Sequence, residues 1–349
     1  MTGKMTAAVL YGKEDVKIER VPIPHLEEGE VLIKVQVALT CGTDLKVYQR
    51  GYHARMIVPP ALFGHELAGL IEEIGPGVRG FKKGMRVVAL NSAPCQMCFY
   101  CSKHQENLCE DLLFNNGAYA EYIRIPRRIV ETNMLAIPPE VSYEDAAMVE
   151  PLACVLRGLH ETGVEIGETV TVIGGGPIGL MFVQVARAIG CNVISVVKRD
   201  GQVAAAKHMG AHEVVQIGKV KDPVEAVRAL SPHKRGGDVV IEAVGRPEAW
   251  EMAIEMVRKG GTVNFFGGCA SGTKVQLDTN RLHYSEITLK ATFHHTPETV
   301  RRAFALIAEK KIRPREYITG EAPLSRLQQV LSHMLDRRGE IKTAIIPGH

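Results

Sequence analysis

Four cysteines lie close together in the chain, at Cys95, Cys98, Cys101 and Cys109. Four thiolates at this spacing suit a tetrahedral Zn²⁺, with Zn–S distances of about 2.3 Å and no open coordination position. An iron–sulfur cluster is the alternative, but the short-spaced ferredoxin pattern has three residues before its fourth cysteine and a proline after it. Here seven residues separate Cys101 from Cys109, and no proline follows. The pattern therefore predicts a structural zinc in a lobe of residues 91–116.

A histidine and a glutamate stand side by side at His65 and Glu66, directly after Gly64. Neighbouring side chains of a strand point to opposite faces, so both can reach one ion only where the backbone turns, and glycine permits such a turn. Taken alone, the pair also fits a salt-linked pair at the surface. Its interpretation as a metal site depends on thiolates and carboxylates elsewhere in the chain.

A glycine-rich turn is the third candidate site. Residues 174–179 match the pattern G-x-G-x-x-G, after the β-branched run Thr169–Ile173 and before a predicted helix over 178–189. In that context the glycines let the backbone approach a pyrophosphate, whose charge the helix N-terminus favours. We therefore predict dinucleotide binding by this turn and by the two residues at the end of the strand predicted over 262–266. The candidates are Gly174, Gly176, Pro177, Ile178, Gly179, Phe266 and Gly267.

The choice between NAD and NADP depends on the residues that follow the strand predicted over 192–197. An acidic residue about 20 positions after the turn would bind the ribose 2′-hydroxyl of NAD, whereas a basic residue would favour the 2′-phosphate of NADP. Lys198 lies nineteen residues after Gly179 and is followed by Arg199 and Asp200. The sequence favours NADP, and NAD held by Asp200 or by a backbone group stays the alternative.

The first part of the chain has a β pattern. Residues 6–37 alternate between apolar and polar side chains, with Pro22, Pro24 and Gly29 between the strands. Further strands are predicted up to residue 90 and over 117–125, followed by a helix over 142–160. This pattern indicates a folded-over antiparallel barrel or sandwich.

The second part alternates regularly between strands and helices. Strands are predicted at 169–173, 192–197, 213–217, 238–241 and 262–266, and helices at 178–189, 201–209, 222–230 and 247–258. A sixth strand over 287–293 completes the series. This alternation predicts an α/β fold with a doubly wound parallel sheet. After a helix over 297–309, the β-like end at 341–346 is expected to pack back on the first domain.

The composition limits the classes of protein that need to be considered. A chain of 349 residues suits about two domains. Its net charge of +3 is too small to indicate nucleic acid or an anionic membrane, and no apolar run is long enough to span a bilayer. The first residues lack a signal-peptide pattern, so we expect a cytoplasmic protein whose eight cysteines stay reduced.

Taken together, the motifs resemble the zinc-dependent medium-chain dehydrogenase/reductase family, in particular its sorbitol (polyol) and threonine dehydrogenase branch. The resemblance covers nearly the whole chain and is carried by Cys41–Asp44, Gly64–Glu66, the four-cysteine lobe, Gly117–Tyr122, Glu150–Cys154 and Gly174–Gly179. It implies a GroES-like catalytic domain of residues 1–153 and 294–349, and a Rossmann domain of residues 154–293. It also implies an active site in the cleft between them, and a homotetramer or homodimer.

The family pattern implies a second zinc, the catalytic one, held by Cys41 and His65 with Glu66 and Glu150 as carboxylates that ligate or exchange with water. Such a zinc would lower the pKa of an alcohol or polyol hydroxyl, and a hydride would pass to the nicotinamide to leave a ketone or aldehyde. Thr43 matches the family residue that hydrogen-bonds the alkoxide. Thr43 also fits the N-cap of a helix beginning at Asp44.

Two departures from the family pattern leave roles open. Lys46 stands where the family often has a relay histidine, and its ordinary pKa of about 10.4 makes it a poor proton shuttle near neutral pH. His294 and His295 stand where the polyol branch often has a substrate-pocket arginine. A non-catalytic dinucleotide-binding protein, a zinc-free reductase and a primary alcohol or aldehyde reductase are the alternative functions.

Overall fold

The structure is a computed structural model that describes residues 3–53, 56–336 and 340–348. The chain divides into two compact units, one formed by Met1–Pro151 and Thr296–His349 and the other by Leu152–His295. The domain boundaries expected at 153/154 and 293/294 lie two residues from these. The first boundary falls inside a single helix, Val149–His160, whose regular backbone offers no natural break.

The strands are numbered in chain order over the described ranges. They are β1 Lys4–Gly12, β2 Asp15–Pro22, β3 Val31–Leu39, β4 Ala61–Leu62, β5 Glu66–Ile74, β6 Arg86–Ala89, β7 Ser92–Ala93, β8 Leu113–Phe114, β9 Tyr122–Ile125, β10 Met134–Ala136, β11 Thr169–Ile173, β12 Asn192–Val197, β13 Glu213–Gln216, β14 Gly237–Glu242, β15 Val257–Phe265, β16 Thr288–Ala291, β17 Ile318–Pro323 and β18 Lys342–Ile346. Strands β11 to β16 belong to the second unit and the others to the first.

The α-helices follow the same numbering. They are α1 Gly42–Arg50, α2 Phe99–Ser102, α3 Arg127–Asn133, α4 Tyr143–Ala147, α5 Val149–His160, α6 Pro177–Ile189, α7 Asp200–His208, α8 Pro223–Leu230, α9 Pro247–Met256, α10 Thr279–Tyr284, α11 Pro297–Ala308 and α12 Leu327–Leu335. The helix predicted over 142–160 is divided into α4 and α5 at Met148, which closes α4. None of these helices combines the length and the apolar composition that a bilayer-spanning helix needs.

The first unit is β-rich, as its alternating sequence predicts. In the described residues its larger sheet has the order β10-β6-β5-β3-β18-β17, with β9 also paired to β3, and a smaller sheet has the order β2-β1-β4. Strand β3 runs antiparallel to β5, with Leu39 opposite Glu66. That register brings Cys41, which follows β3, beside His65 and Glu66 at the start of β5.

The end of the chain returns to the first unit, which confirms the expected packing of residues 341–346. Strand β18 pairs antiparallel with β3, with Ala344 opposite Leu39, and parallel with β17. Strand β17 and helix α12 were not predicted. The pairing of β18 with β3 carries Lys342 to the same end of the sheet as His65 and Glu66.

Residues 117–125 form a shorter strand than the sequence predicts. Only Tyr122–Ile125 is a strand, because the backbone N–H groups of Gly117 and Ala118 both donate to the Gly64 carbonyl, at 2.8 and 3.1 Å. The first residues of this segment therefore bond to the loop before His65. Residues 119–121 form only an isolated bridge with β1, where the Ala8 N–H donates to the Tyr119 carbonyl at 2.8 Å. The segment places Tyr119, which is fully buried, beside that loop.

The second unit confirms the predicted doubly wound sheet. Its strands have the order β13-β12-β11-β14-β15-β16 within the described residues, and every adjacent pair is parallel. All five residues of β11 are buried, as its continuous β-branched run predicts for a strand covered on both faces. Ile173, Val196, Val240 and Val263 form part of the core between sheet and helices. The glycine-rich turn joins β11 to α6.

Candidate functional site

Cys41 lies at the N-terminus of α1, two residues after β3 ends. Its sulfur accepts a hydrogen bond of 3.4 Å from the backbone N–H of Thr43, and its own N–H donates to the Asp44 carboxylate at 3.1 Å. Cys41 is thus the N-cap of α1, and the alternative N-cap role of Thr43 is wrong because the helix begins at Gly42. Cysteine binds metals as a thiolate, so this position makes Cys41 a candidate ligand.

His65 is oriented by a chain of buried hydrogen bonds. Its Nδ1 lies 2.9 Å from Oδ1 of Asp44, whose Oδ2 accepts a hydrogen bond of 2.6 Å from the Tyr119 hydroxyl. Because Asp44 engages Nδ1, Nε2 is the nitrogen available to a metal, as in other carboxylate–histidine–metal sites. Burial opposes protonation of the ring, but Asp44 and Cys41 together raise the pKa of His65 well above its ordinary value.

The turn before His65 depends on Gly64. This residue has a φ of +89°, and a Cβ added to it would lie 2.6 Å from the Tyr119 ring. The turn that a shared role of His65 and Glu66 requires is therefore present. The aromatic rings of Phe63 and Tyr119 pack beside this turn, with their centroids 5.5 Å apart.

Glu66 forms an ion pair with Lys342, a residue that the sequence analysis did not single out. Lys342 Nζ lies 2.9 Å from Oε1 and 2.6 Å from Oε2 of Glu66, and it also donates to the Thr40 carbonyl at 2.7 Å. The side chains of Lys342 and Glu66 are 2% and 0% exposed. Burial opposes protonation of Lys342, but Glu66 more than offsets this and raises the pKa of Lys342.

The first candidate metal centre combines a thiol, an imidazole and a carboxylate. Ligand atoms of Cys41, His65 and Glu66 all lie within 4.8 Å of one another. Glu150, at the start of α5, is 7% exposed and stands outside this group of three. Burial raises the pKa of Glu150 to about 7, with Glu66 adding to this rise and His65 opposing it. The donor types in this region suit Zn²⁺.

The four cysteines of the lobe converge as their spacing predicts. Cys98 Sγ lies 3.6 Å from Cys101 Sγ and 3.9 Å from Cys109 Sγ, and the ligand atoms of all four cysteines lie within 4.8 Å of one another. A tetrahedron of sulfurs about 2.3 Å from a zinc has edges of about 3.8 Å. A disulfide would need about 2.05 Å. The separations therefore fit a common metal rather than a disulfide.

Backbone groups and burial act differently on the thiols of the lobe. Backbone N–H groups of Glu110 and Cys101 lower the pKa of Cys98 to about 6. Burial and the neighbouring sulfurs raise the pKa of Cys101 to about 12. The protein alone thus favours the thiolate at Cys98 and the thiol at Cys101, and a bound cation would stabilise both as thiolates.

The glycine-rich turn has the geometry that its motif requires. Gly174 has a φ of +124°, Gly176 is the N-cap of α6, and Pro177 opens the helix. A Cβ on Gly179 would stand 1.9 Å from the Gly174 carbonyl oxygen, whereas a Cβ on Gly176 would meet nothing within 4 Å. Gly179 is therefore required for the turn to close. Gly176 leaves space open in front of the helix N-terminus, where Ile178, the second residue of α6, is half-buried.

The residues predicted to choose between NAD and NADP lie where β12 ends. Lys198, Arg199 and Asp200 are all exposed. The Gln202 side chain accepts hydrogen bonds from the backbone N–H groups of Lys198 and Arg199, at 3.2 and 3.1 Å. Oδ1 of Asp200 accepts a hydrogen bond of 2.7 Å from the side chain of Gln216. The carboxylate that would serve NAD is therefore tied to the end of β13.

Phe266 and Gly267 follow β15 and are engaged in packing. The Phe266 ring stands edge-on to the buried Phe182 ring, with centroids 5.0 Å apart. Gly267 accepts a hydrogen bond of 3.0 Å from the indole of Trp250, and a Cβ on Gly267 would lie 2.3 Å from the Gly245 nitrogen. Both residues shape this end of the sheet, and a direct contact with cofactor stays a prediction.

The remaining candidates are placed by the structure without a defined role. Thr43 is half-buried in the first turn of α1, and Lys46 is exposed on the same helix. The rings of His294 and His295 lie against each other with centroids 4.0 Å apart, and His295 is 3% exposed.

Three site residues escaped the sequence reasoning or were given no role there. Asp44 and Tyr119 lie within recognised motifs, but their bond across 75 residues is visible only in the fold. Lys342 lies in no motif. Its signal was a lone charged residue in the short β-like segment Lys342–Ile346, whose other side chains are uncharged.

Comparisons with known families match both units of the chain. Residues 27–135 match the alcohol dehydrogenase GroES-like domain, and residues 177–309 match the zinc-binding dehydrogenase family. The sorbitol dehydrogenase of Bacillus subtilis (strain 168) is 31% identical over 98% of this chain and 97% of its own length. The L-threonine 3-dehydrogenase of Bacillus licheniformis is 32% identical over 99% of this chain and 100% of its own length.

Solved structures give the same picture of the fold. A Sinorhizobium meliloti 1021 protein assigned as a zinc-binding dehydrogenase, with bound NADP, has a TM-score of 0.90 and 30% identity, covering 99% of this chain and 100% of its own. Alcohol dehydrogenase TADH from Thermus sp. ATN1 has a TM-score of 0.88 and 28% identity, covering 98% of this chain and 99% of its own.

The glycine-rich turn generates a prediction that separates folding from binding. Gly179→Ala should lower the thermal unfolding midpoint by several degrees, because its Cβ would clash with the Gly174 carbonyl. Gly176→Ala, the matched control, should keep the midpoint but weaken dinucleotide binding, because its Cβ stands where a pyrophosphate would approach. Thermal unfolding and cofactor titration check this. Equal stability of the two variants would contradict it.

Proposed function

This chain belongs to the zinc-dependent medium-chain dehydrogenases of the alcohol dehydrogenase superfamily, and we propose that it transfers a hydride between NAD(P) and a secondary alcohol or polyol. The observation that carries the proposal is the cluster of Cys41, His65 and a buried carboxylate in a chain that also has a complete glycine-rich turn. Relatives named sorbitol dehydrogenase and D-xylulose reductase A support a polyol, which would leave as a ketone.

Two zinc ions per chain are part of this proposal. The lobe cysteines would hold one of them in a closed site, as their sulfur separations support. Cys41 and His65 would hold the other with a carboxylate and leave a position for substrate. When bound, this second zinc supplies a Lewis acid that lowers the pKa of a substrate hydroxyl.

The residues around the second site have separate tasks in this proposal. Asp44 and Tyr119 hold the His65 ring in one orientation and one tautomer. Thr43, next to Cys41 in the chain, offers a hydroxyl that accepts the substrate proton and passes it outward. Lys46 is exposed and would take part only as a surface charge. His294 and His295 stay candidates for contacts with substrate.

Glu150 is the carboxylate that we propose as the resting third ligand. Glu66 lies nearer to Cys41 and His65, but Lys342 Nζ donates to its Oε1 at 2.9 Å and lies 2.6 Å from its Oε2, which accepts no hydrogen bond among the described residues. A metal bound through Glu66 would therefore share this carboxylate with the Lys342 ammonium. Glu150 carries a raised pKa of about 7, so a nearby cation would readily stabilise its ionised form.

NADP is the cofactor that we propose, with NAD as the alternative. Two exposed cations stand where β12 ends, and the neighbouring Asp200 carboxylate is engaged by Gln216 at 2.7 Å. A 2′-phosphate would pair with Lys198 and Arg199, whereas a 2′-hydroxyl would have to compete with Gln216 for Asp200. A homotetramer or homodimer and a cytoplasmic location stay predictions from the sequence.

The proposed reaction has a direct test. Purified enzyme with its zinc content measured should reduce cofactor in the presence of polyols or secondary alcohols, followed by absorbance of the reduced nicotinamide. Simple primary alcohols and 3-hydroxy amino acids complete the panel. A preference for primary alcohols would contradict the substrate class. Binding of dinucleotide without turnover of any alcohol would favour the non-catalytic alternative.

Charge reversal at Lys198 tests the cofactor preference. Lys198→Asp should lower the ratio of kcat/KM with NADP to kcat/KM with NAD about tenfold or more, because it places a negative charge beside the 2′-phosphate. The matched control is Lys207→Asp, which reverses an exposed charge on α7 of the same unit. An unchanged ratio in Lys198→Asp would remove the basis for NADP.

A further inference from the structure

A cavity of about 540 Å³ in the second unit is lined by six cationic side chains and by no acidic one. The cations are Arg228, Lys234, Arg235, Arg258, Lys259 and Arg281. The motifs and the proposed reaction assign none of them a role. The volume lies within the range of small-molecule sites, which is about 300–1,000 Å³.

The cavity lies at the end of the parallel sheet where the strands begin, opposite the end that carries the glycine-rich turn. Its lining comes from the loop before β14, from the first residues of β15 and from the segment before β16, with Arg228 of α8 and Arg281 of α10. Strands β14, β15 and β16 are adjacent and parallel, so their amino ends lie at the same end of the sheet. The glycine-rich turn follows the carboxyl end of β11. An anion in this basic cavity would therefore not occupy the dinucleotide site.

Three arginines of the cavity have a structural explanation. Arg228 pairs with Glu225 at 2.6 Å, and Arg281 pairs with Glu255 at 3.2 Å. Both arginines also donate to backbone carbonyls near the end of α9, at 2.9 to 3.3 Å. Cations at the negative end of a helix are common. Arg258 pairs with Asp238 and approaches Glu168 at 4.0 Å.

The other three cations have no such explanation. Lys234, Arg235 and Lys259 are exposed, and none has an acidic partner among the described residues. Ser231 fixes the loop that carries Lys234 and Arg235, because its hydroxyl accepts from the Gly236 N–H at 2.8 Å and donates to the Arg228 carbonyl at 2.7 Å. The six cations exceed the four carboxylates that pair with them by two charges.

We propose that the basic cavity binds the phosphoryl group of a small phosphorylated organic molecule. An excess of two positive charges matches a phosphoryl dianion, and guanidinium and ammonium donors suit its oxygens. Ser285 offers a further hydroxyl donor at the wall. Val257 and Ile287 supply apolar surface, which suits an organic group attached to the phosphate better than a free ion.

Calorimetric titration of the zinc-loaded enzyme with phenyl phosphate tests this proposal. Saturating NADP is present, so that the dinucleotide site is filled, and ionic strength is kept constant. One equivalent per chain should bind. The variant Lys234→Ala/Arg235→Ala/Lys259→Ala should raise the Kd about tenfold or more, because it removes the three cations that have no acidic partner among the described residues. These side chains are exposed, so the thermal unfolding midpoint should not change.

The matched control, Lys13→Ala/Arg79→Ala/Lys82→Ala, removes the same number of positive charges from exposed residues of the first unit. Its Kd should equal that of the unmodified enzyme. An equal loss of affinity in both variants would overturn the proposal, since it would reflect only net charge. Absence of binding to the unmodified enzyme would also overturn it. Inorganic phosphate that binds as tightly as phenyl phosphate would assign the cavity to free phosphate instead.

Discussion

Lys342 and Glu66 form an ion pair that is almost completely removed from solvent and that joins the C-terminal strand to the start of β5. Removing one partner of such a pair typically costs about 3–5 kcal/mol, because the other charge is left buried without compensation. The pair is completed by the Thr40 carbonyl, which precedes Cys41. One ammonium group thus touches the two segments that carry the candidate metal ligands. The geometry of Cys41 and Glu66 therefore depends on residues from opposite ends of the chain.

The two halves of the proposed chemistry are positioned in different ways. The dinucleotide turn is local, because the strand, the turn and the helix that form it are consecutive, and Gly179 closes it against Gly174. The first metal centre is non-local, since it requires the register of β3 with β5 and the return of β18 to β3. Asp44 then connects His65 to Tyr119, so a third distant segment fixes the imidazole. Burial raises the pKa of both Glu66 and Glu150, and Lys342 pairs with Glu66.

These differences explain how much the sequence could predict. The parallel sheet, its turn and the convergence of four cysteines follow from local patterns, and the structure has them. The short strand at 122–125 depends on hydrogen bonds to distant segments that no periodicity records. Lys342 was invisible as a site residue because its partner lies 276 residues away. The division of roles between Glu66 and Glu150 was left open by the sequence for the same reason.

The zinc content of two isosteric variants tests the central claim most directly, namely that Lys342 withholds Glu66 and leaves Glu150 as the resting ligand. Glu150→Gln should lower the content by about one zinc per chain, because an amide is a weaker ligand than a carboxylate, whereas the lobe zinc stays bound. Glu66→Gln should keep both ions, since its amide oxygen still accepts from Lys342. Mass spectrometry of the purified, folded proteins gives the count. Loss of one zinc in Glu66→Gln, with both retained in Glu150→Gln, would contradict the claim.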